Sequence, residues 1–152
     1  MSNRYYAVCG ILDIGGKILF VRHTYGSAKD RILIPGGYVK EGEIPTAAVK
    51  REFYEETGVI ADAESVFSVQ FRKEQWIIVF KLKYISGEPV SDGYENSEVL
   101  LLTPEEAVKR NDITNMSRAI LNAYINDPCN TLAKGHYNSI SLKGEDFEIF
   151  GV

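Results

Sequence analysis

Cysteine and histidine are scarce in this chain. Its 152 residues contain two of each, and the cysteines are Cys9 and Cys129. They form no Cys-x-x-Cys pair and have no histidine close to them in the sequence, which disfavours a zinc site, a disulfide framework and a cysteine nucleophile. We interpret both residues as reduced thiols with a structural role.

Long apolar runs and an excess of basic charge are also missing. No apolar run approaches 18 residues, so the sequence predicts no membrane span, and the polar start MSNRYY is not typical of a signal peptide. Seventeen basic residues against 21 acidic residues give a net charge of −4, which offers no overall attraction for nucleic acid or an anionic membrane. We therefore predict a soluble, cytoplasmic protein that binds neither. A polyanionic substrate would need local cations or metal.

Internal repeats, low-complexity tracts and interdomain linkers are not found either. A chain of 152 residues supports one well-buried core and is too short for two ordinary domains, so we predict a single domain over residues 1–152. Residues 129–152 carry too many apolar side chains for a free tail: Tyr137, Ile140, Leu142, Phe147, Ile149 and Phe150. We expect this extension to pack on the body of the domain or across a homodimer interface.

Apolar patterns separated by turn residues predict six strands, at residues 4–12, 17–23, 32–34, 64–72, 75–86 and 97–102. A helix is expected to start at Pro104 behind the N-cap Thr103, and residues 115–126 have apolar side chains at helical spacing. Strands on both sides of a central helix, with further helices towards the end, predict an α+β or layered α/β/α domain with a mixed sheet.

The central segment, residues 37–59, concentrates five glutamates, one arginine and three glycines. Proline suits the first position of a helix and glycine suits the residue after its end, so Pro45 and Gly58 predict a helix over residues 45–57. A turn is expected at Gly36 and Gly37, where the segment begins. The lack of side chains there lets backbone carbonyls approach an ion or a phosphate.

Three carboxylates share one face of the predicted helix, because Glu52, Glu55 and Glu56 fall within an arc of about 100°. Carboxylates this close repel one another, so a cation is expected to compensate them. Arg51, which can pair with Glu43 or Glu55, is one candidate, and a hard ion such as Mg²⁺ is the other. The alternative is an ordinary solvated acidic helix face.

The spacing of these residues is more specific than their composition. Five residues separate Gly37 from Glu43, seven more lead to Arg51-Glu52-Phe53, and Tyr54, Glu55-Glu56, Thr57 and Gly58-Val59 follow. This order resembles the signature of the Nudix hydrolases at every defining position, and it would recur by chance about once in 10⁸ windows. Phe53 is the one mild departure, since that family more often has an aliphatic residue there.

The resemblance implies both a fold and an activity. The fold is the Nudix α/β/α sandwich, in which the signature forms a loop–helix–loop at the edge of the sheet. The activity is a divalent-metal-dependent hydrolysis of the pyrophosphate link between a nucleoside diphosphate and another moiety, with Mg²⁺ as cofactor and Mn²⁺ as a substitute. The alternative is a nucleotide-sensing module that keeps the fold without turnover; such modules usually lose signature carboxylates, and none is missing here.

The resemblance also implies a metal site made of three carboxylates and one backbone carbonyl: Glu52, Glu56, Glu55 and Gly37. Arg51 and Glu43 would orient and balance these ligands. For the general base we favour Glu98, with Glu55 and Glu95 as the competing choices.

Substrate contacts are less well defined by the sequence. Arg22, at the end of a strand, can bind a phosphate through its guanidinium, and the backbone at Gly36 and Gly37 can approach one. His23 is a weaker candidate. Three aromatic residues can stack on a base, although aromatic residues in strands more often belong to the core: Tyr25, Phe71 and Trp76.

Overall fold

A mixed, open sheet with helices on both faces forms the protein, and a computed structural model describes residues 4–152. The strands are β1 (Tyr6–Ile14), β2 (Lys17–His23), β3 (Ile32–Leu33), β4 (Gly36–Tyr38), β5 (Ile60–Phe71), β6 (Trp76–Ser86), β7 (Asn96–Leu102) and β8 (Leu132–Ala133). The helices are α1 (Pro45–Thr57), α2 (Pro104–Val108) and α3 (Asn115–Asn126), and a short 3-10 turn lies at Gly26–Ala28. The predicted α+β class with a mixed sheet is confirmed.

The strand order is β3-β2-β1-β6-β5-β8, with β4 paired to β1 and β7 paired to β2. β1 and β6 are parallel, whereas the other paired strands are antiparallel. Near its end, at residues 13–14, β1 pairs with β2, but at residues 7–9 it pairs with β4 instead. β1 and β2 therefore diverge towards the start of β1, and this divergence opens a cleft.

Alternation along the strands builds one core on each face of the sheet. In β1, Val8 and Leu12 pack on the α1 side with Phe53, whereas Cys9 and Ile11 pack on the α3 side with Leu121. Burial raises the pKa of the Cys9 thiol to about 12, which keeps it protonated and unreactive. Cys129 is a free, exposed thiol.

Strong local signals gave accurate element boundaries. Helix α1 covers residues 45–57 as predicted, and Gly58 ends it with φ at 72°, donating its N–H to the carbonyl of Tyr54 at 2.9 Å. The predicted N-cap at Thr103 is confirmed, and it forms a capping box, because its hydroxyl accepts from the backbone of Glu106 and the Glu106 side chain accepts from the backbone of Thr103.

The segment predicted as a glycine turn is instead strand β4. Gly36 lies opposite Cys9 and Gly37 opposite Val8 in an antiparallel pairing. A side chain at Gly36 would place its Cβ 2.1 Å from the carbonyl oxygen of Val8, so glycine allows a close approach between two strands rather than a reversal of the chain.

The C-terminal extension contacts the body of the domain at both of its ends. Near its start the extension forms β8, which pairs with β5. Near its end Gly151 returns to β8 and donates its N–H to the carbonyl of Ala133 at 2.8 Å. The Phe150 ring packs 6.0 Å from the ring of Phe80 in the core under α1. Glu148 accepts a 2.7 Å hydrogen bond from the hydroxyl of Thr46, in the first turn of α1. Ile140, between these contacts, is fully exposed.

Truncation of Phe150 tests whether the extension stabilises the domain. A Phe150→Ala variant is expected to lower the free energy of unfolding by about 2 kcal/mol, less than for a fully buried ring because Phe150 is only partly buried. An Ile140→Ala control should change it by less than about 0.5 kcal/mol. Urea unfolding of both variants measures this. Unchanged stability of Phe150→Ala, together with a loss of dimer, would favour the homodimer alternative.

Within the described residues, none of the helices combines the length and the apolar composition that crossing a bilayer requires.

Candidate active site

A cleft of about 620 Å³ lies where β1 and β2 diverge. One end is acidic and is lined by Glu52, Glu56 and Glu95, while the other wall is largely apolar, with Ile34, Ile77, Met116 and their neighbours. Strand β4 also lines the cleft, with Gly37 next to the carboxylate of Glu52. The cleft therefore offers a charged region and an apolar region side by side.

Three carboxylates converge at the acidic end. Glu52 and Glu56 come from α1, one helical turn apart, and Glu95 comes from the loop directly before β7. One oxygen of each lies within 4.8 Å of the others, a separation from which a single ion can be reached by all three. Oxygen ligands of this kind suit hard divalent cations such as Mg²⁺.

Of the three carboxylates, Glu56 is the one whose charged form is most strongly disfavoured by its surroundings. Its side chain is buried, and burial, reinforced by the nearby charges of Glu52 and Glu95, raises its pKa to about 9. Its Oε2 atom is buried without a hydrogen-bond partner among the described residues. A buried carboxylate oxygen is costly to leave unsatisfied, and a cation at this position would satisfy it.

Gly37 makes room for the carboxylate of Glu52. A Cβ atom at residue 37 would lie 2.3 Å from the carboxyl carbon of Glu52, so the side chain of Glu52 rests directly against the β4 backbone. Burial raises the pKa of Glu52, and the hydrogen bond from Arg51 opposes this effect. The structure thus brings Gly37, Glu52 and Glu56 together in one cleft.

A Gly37→Ala substitution should displace the carboxylate of Glu52, because the added methyl group occupies its place. We expect divalent-ion affinity to fall by about tenfold, the scale of an altered ligand orientation. Isothermal titration with Mg²⁺ or Mn²⁺ measures it. Gly144→Ala is the matched control, since nothing lies within 4 Å of the added atom there. Unchanged affinity in Gly37→Ala would mean that Glu52 can hold the ion from another position.

Arg51 supports the carboxylate group through hydrogen bonds to its neighbours. Its Nε donates to Glu43 at 2.8 Å, its Nη1 donates to Glu52 at 2.9 Å, and its Nη2 donates to Glu43 at 2.9 Å and to the carbonyl of Tyr38 at 3.0 Å. The bidentate bond lowers the pKa of Glu43, and the carboxylates raise the pKa of Arg51. Arg51 and Glu43 therefore fix the position of Glu52 rather than entering the group of three carboxylates.

Glu55 lies apart from the group of three carboxylates. Its side chain is half exposed and pairs with Arg51 at 3.2 Å. The helix places it one residue before Glu56, so its carboxylate is turned towards solvent while that of Glu56 is turned into the cleft.

The loop that carries Glu95 is tied to the rest of the domain on both sides. The hydroxyl of Thr24 donates to the carbonyls of Tyr94 and Glu95, at 2.8 and 3.1 Å. The buried Asn96 donates from its side chain to the carbonyl of Glu56 at 2.9 Å. These bonds connect the loop to the residue that follows β2 and to α1, which holds Glu95 opposite the helix carboxylates.

Arg22 and Glu98 are not brought to the cleft. They face each other across the β2–β7 pairing, and Arg22 donates to Glu98 at 2.9 Å, to Asp112 at 3.0 Å and to the carbonyl of Asp30 at 2.8 Å. The guanidinium of Arg22 is thus already surrounded by acceptors. This geometry supports neither Arg22 as a phosphate ligand nor Glu98 as a base.

Of the aromatic residues proposed to stack on a base, Tyr25 lines the cleft and the other two do not. Tyr25 stacks on His23, with ring centroids 5.4 Å apart and an interplanar angle of 12°. Burial lowers the pKa of His23, which favours a neutral ring. Phe71 and Trp76 contact each other outside the cleft.

Comparisons with known proteins agree with this geometry. A family model described as NUDIX domain matches residues 1–123. An ADP-ribose pyrophosphatase of Methanocaldococcus jannaschii is 36% identical over 88 residues, covering 54% of this chain and 52% of that protein. An RNA pyrophosphohydrolase of Bartonella bacilliformis is 30% identical over 109 residues, covering 66% and 64%. The chain thus spans about half to two thirds of the length of these curated relatives.

Solved structures share the fold at lower identity. A NUDIX hydrolase from Nitrosomonas europaea superposes with a TM-score of 0.74 at 21% identity, covering 84% of this chain and 73% of that one. A MutT NUDIX hydrolase from Burkholderia pseudomallei gives 0.70 at 19% identity, covering 78% and 96%.

Proposed function

The chain belongs to the NUDIX family, and from this premise we propose that it is a divalent-metal-dependent hydrolase of nucleoside diphosphates linked to another moiety. Cleavage of the pyrophosphate link would release a nucleoside monophosphate and either a phosphorylated product or pyrophosphate. The observation that carries the proposal is the meeting of Glu52, Glu56 and Glu95 in the cleft.

The residues present fit a hard divalent cation such as Mg²⁺. All three side chains offer carboxylate oxygens, and the buried Oε2 of Glu56 has no protein partner among the described residues. We assign Glu52 and Glu56 as ligands, with the carbonyl of Gly37 as a further one. A bound ion supplies neutralisation of the phosphoryl charge and lowers the pKa of an attacking water.

Glu95 takes the proton-accepting role in this proposal. A general base must lie within hydrogen-bond reach of the water it deprotonates, and Glu95 faces the two helix ligands from another element. Glu98 is held by Arg22, and Glu55 is held by Arg51 at the solvent side. Arg51 and Glu43 act by keeping Glu52 in position, as their hydrogen bonds indicate.

The apolar end of the cleft suits the nucleoside part of such a substrate. Ile34, Ile77 and Met116 provide apolar surface there, and the stacked pair of His23 and Tyr25 adds an aromatic wall near the carboxylates. An aromatic base gains from both kinds of contact. The two curated relatives are named for cleavage of a pyrophosphate in ADP-ribose and in RNA, and both names agree with a nucleotide-type substrate.

A panel assay tests the proposal. Release of phosphate, pyrophosphate or nucleoside monophosphate is measured from about twenty nucleotides, nucleotide sugars and dinucleoside polyphosphates, with Mg²⁺, with Mn²⁺ and with a chelator. We expect turnover of a subset that stops when the ion is removed. Ligand binding without turnover across the whole panel would instead favour a sensing module.

A further inference from the structure

A basic and aromatic surface lies just outside the cleft, and the proposed function does not use it. We call it the basic–aromatic edge, and it consists of Arg4, Tyr6, Phe71, Arg72, Lys73 and Trp76. A second cavity of about 490 Å³ lies on it, lined by Arg4 and by residues 72–75 of the β5–β6 turn.

The edge is continuous with the cleft. Gln75 lines both cavities, and its side chain donates to the carbonyl of Arg4 at 3.2 Å. The guanidinium of Arg4 lies 5.9 Å from the ring centroid of Tyr38, and Arg72 approaches the sulfur of Met116 at 3.7 Å. Tyr38 and Met116 both line the cleft. A ligand that extends out of the cleft on this side therefore meets the edge directly.

The edge concentrates positive charge in an acidic protein. Three cations, Arg4, Arg72 and Lys73, line the second cavity with one acidic residue, Glu74, although the whole chain has a net charge of −4. Within residues 4–152, none of the three cations forms an ion pair, unlike Arg22, Arg51 and Arg110. The local charge is available to an anionic ligand.

The same surface exposes aromatic rings. Phe71 is 69% exposed, and Trp76 and Tyr6 are each 43% exposed. The rings of Phe71 and Trp76 meet edge to face, 5.2 Å apart at 81°, and Tyr6 contacts Trp76 at 6.0 Å. Exposed rings interspersed with unpaired cations are the combination with which proteins bind single-stranded nucleic acid, because bases stack on the rings and phosphates meet the cations.

We propose that the basic–aromatic edge binds a single-stranded polynucleotide, one end of which reaches into the cleft. Only the hydrolysis of that end rests on the proposed function. The net charge of the chain predicts no binding of nucleic acid, but the local arrangement of Arg72, Lys73 and the rings reverses that expectation at this surface. Unpaired bases are required, since the rings cannot stack on bases inside a duplex.

Tryptophan fluorescence tests the proposal directly, because Trp76 is the only tryptophan of the chain and lies in the edge. The probe is a ten-nucleotide single-stranded RNA with a 5′-hydroxyl end, titrated in a chelator so that no turnover intervenes. We expect quenching that saturates, with a slope of log K against log salt of about −2, from about −0.7 for each of three neutralised phosphates. A duplex of the same length should bind much more weakly.

Matched variants separate the edge from general electrostatics. Arg72→Gln with Lys73→Gln should weaken binding by about tenfold and flatten the salt slope, and Phe71→Ala should weaken binding by about tenfold through lost stacking. Lys109→Gln with Lys143→Gln removes the same charge at exposed positions outside the edge and should leave the affinity within about twofold. Equal losses in both double variants would overturn the proposal.

Other outcomes are equally decisive. Absence of quenching, equal affinity for duplex, or quenching by a dinucleoside polyphosphate but not by the oligonucleotide would each overturn the proposal. So would a dimer in sedimentation experiments that Phe71→Ala converts to monomer, since the edge would then be a protein interface. RNA binding in a protein that hydrolyses nothing in the panel would keep this inference and remove the proposed function.

Discussion

A Glu56→Gln variant is expected to lose hydrolytic activity by about 10³-fold or more at saturating Mg²⁺ while keeping its fold. The substitution removes the charge of the most buried member of the carboxylate group and preserves its shape. A ligand charge at a metal site contributes several kcal/mol to stabilising the transition state, and each 1.36 kcal/mol corresponds to tenfold in rate.

The measurement is kcat on the best substrate of the panel, with circular dichroism to establish the fold. Glu64→Gln is the control, because Glu64 is exposed on β5 and outside the carboxylate group. Activity of Glu56→Gln close to that of the wild type would remove Glu56 from the ligand set.

The same substitution should change stability in a pH-dependent way in the presence of a chelator. In the folded protein the pKa of Glu56 is raised to about 9, mainly by burial, so the protonated form is favoured by folding. That stability is fully present below the unfolded pKa of about 4.3 and is lost as pH rises towards 9. The wild type should therefore lose melting temperature relative to Glu56→Gln between these pH values.

Divalent metal should reverse this difference. At pH 8, Mg²⁺ is expected to raise the melting temperature of the wild type and to raise that of Glu56→Gln much less, because binding to the folded state alone stabilises it. Calorimetry with and without the ion gives the comparison. Equal shifts in the two proteins would place the ion away from Glu56.

The helix with the glutamates could be predicted from the sequence because its signals are local. Pro45 sets its start and Gly58 its end, and the helical period alone places Glu52 and Glu56 one turn apart on the same face. The same period does not say which way the face is turned. Packing of Phe53 into the core determines that Glu56 is buried and Glu55 is exposed.

The role of the later glutamates could not be predicted in the same way. Glu95 and Glu98 are three residues apart, and the sequence does not give the register in which β7 pairs with β2. The regular register of the two strands places Glu98 beside Arg22, and the shift after Arg22 pairs His23 with Asn96 and leaves Glu95 in the loop, facing α1. The one local signal is Asn96, a polar residue at the start of a strand, whose burial only the structure shows.

The glycine pair shows a different limit. Gly36 and Gly37 are typical of a turn, and the sequence predicts one there, with backbone carbonyls able to approach an ion or a phosphate. The glycines are needed because two other groups take the space of their side chains, the carbonyl of Val8 and the carboxylate of Glu52. Both groups come from distant parts of the chain, so no local pattern could have distinguished a strand from a turn.

Replacement of the proposed base gives the last prediction. A Glu95→Gln variant is expected to lower kcat by about 10²–10⁴-fold, the usual contribution of general-base catalysis, while KM changes little. Metal affinity, measured by titration calorimetry, should fall less than in Glu56→Gln, because Glu56 is the buried ligand with an unsatisfied oxygen.

Glu98→Gln is the matched comparison for that prediction, since it makes the same chemical change three residues away. It should keep kcat within about twofold and cost less than about 1 kcal/mol of stability, because Glu98 is half exposed and its carboxylate pairs with Arg22. A loss of kcat in Glu98→Gln with an active Glu95→Gln would restore Glu98 as the base and require the ion pair with Arg22 to open during the reaction. If both variants stay active and Glu55→Gln loses kcat without losing metal affinity, the base is Glu55, and its bond to Arg51 would have to break for the carboxylate to reach the cleft.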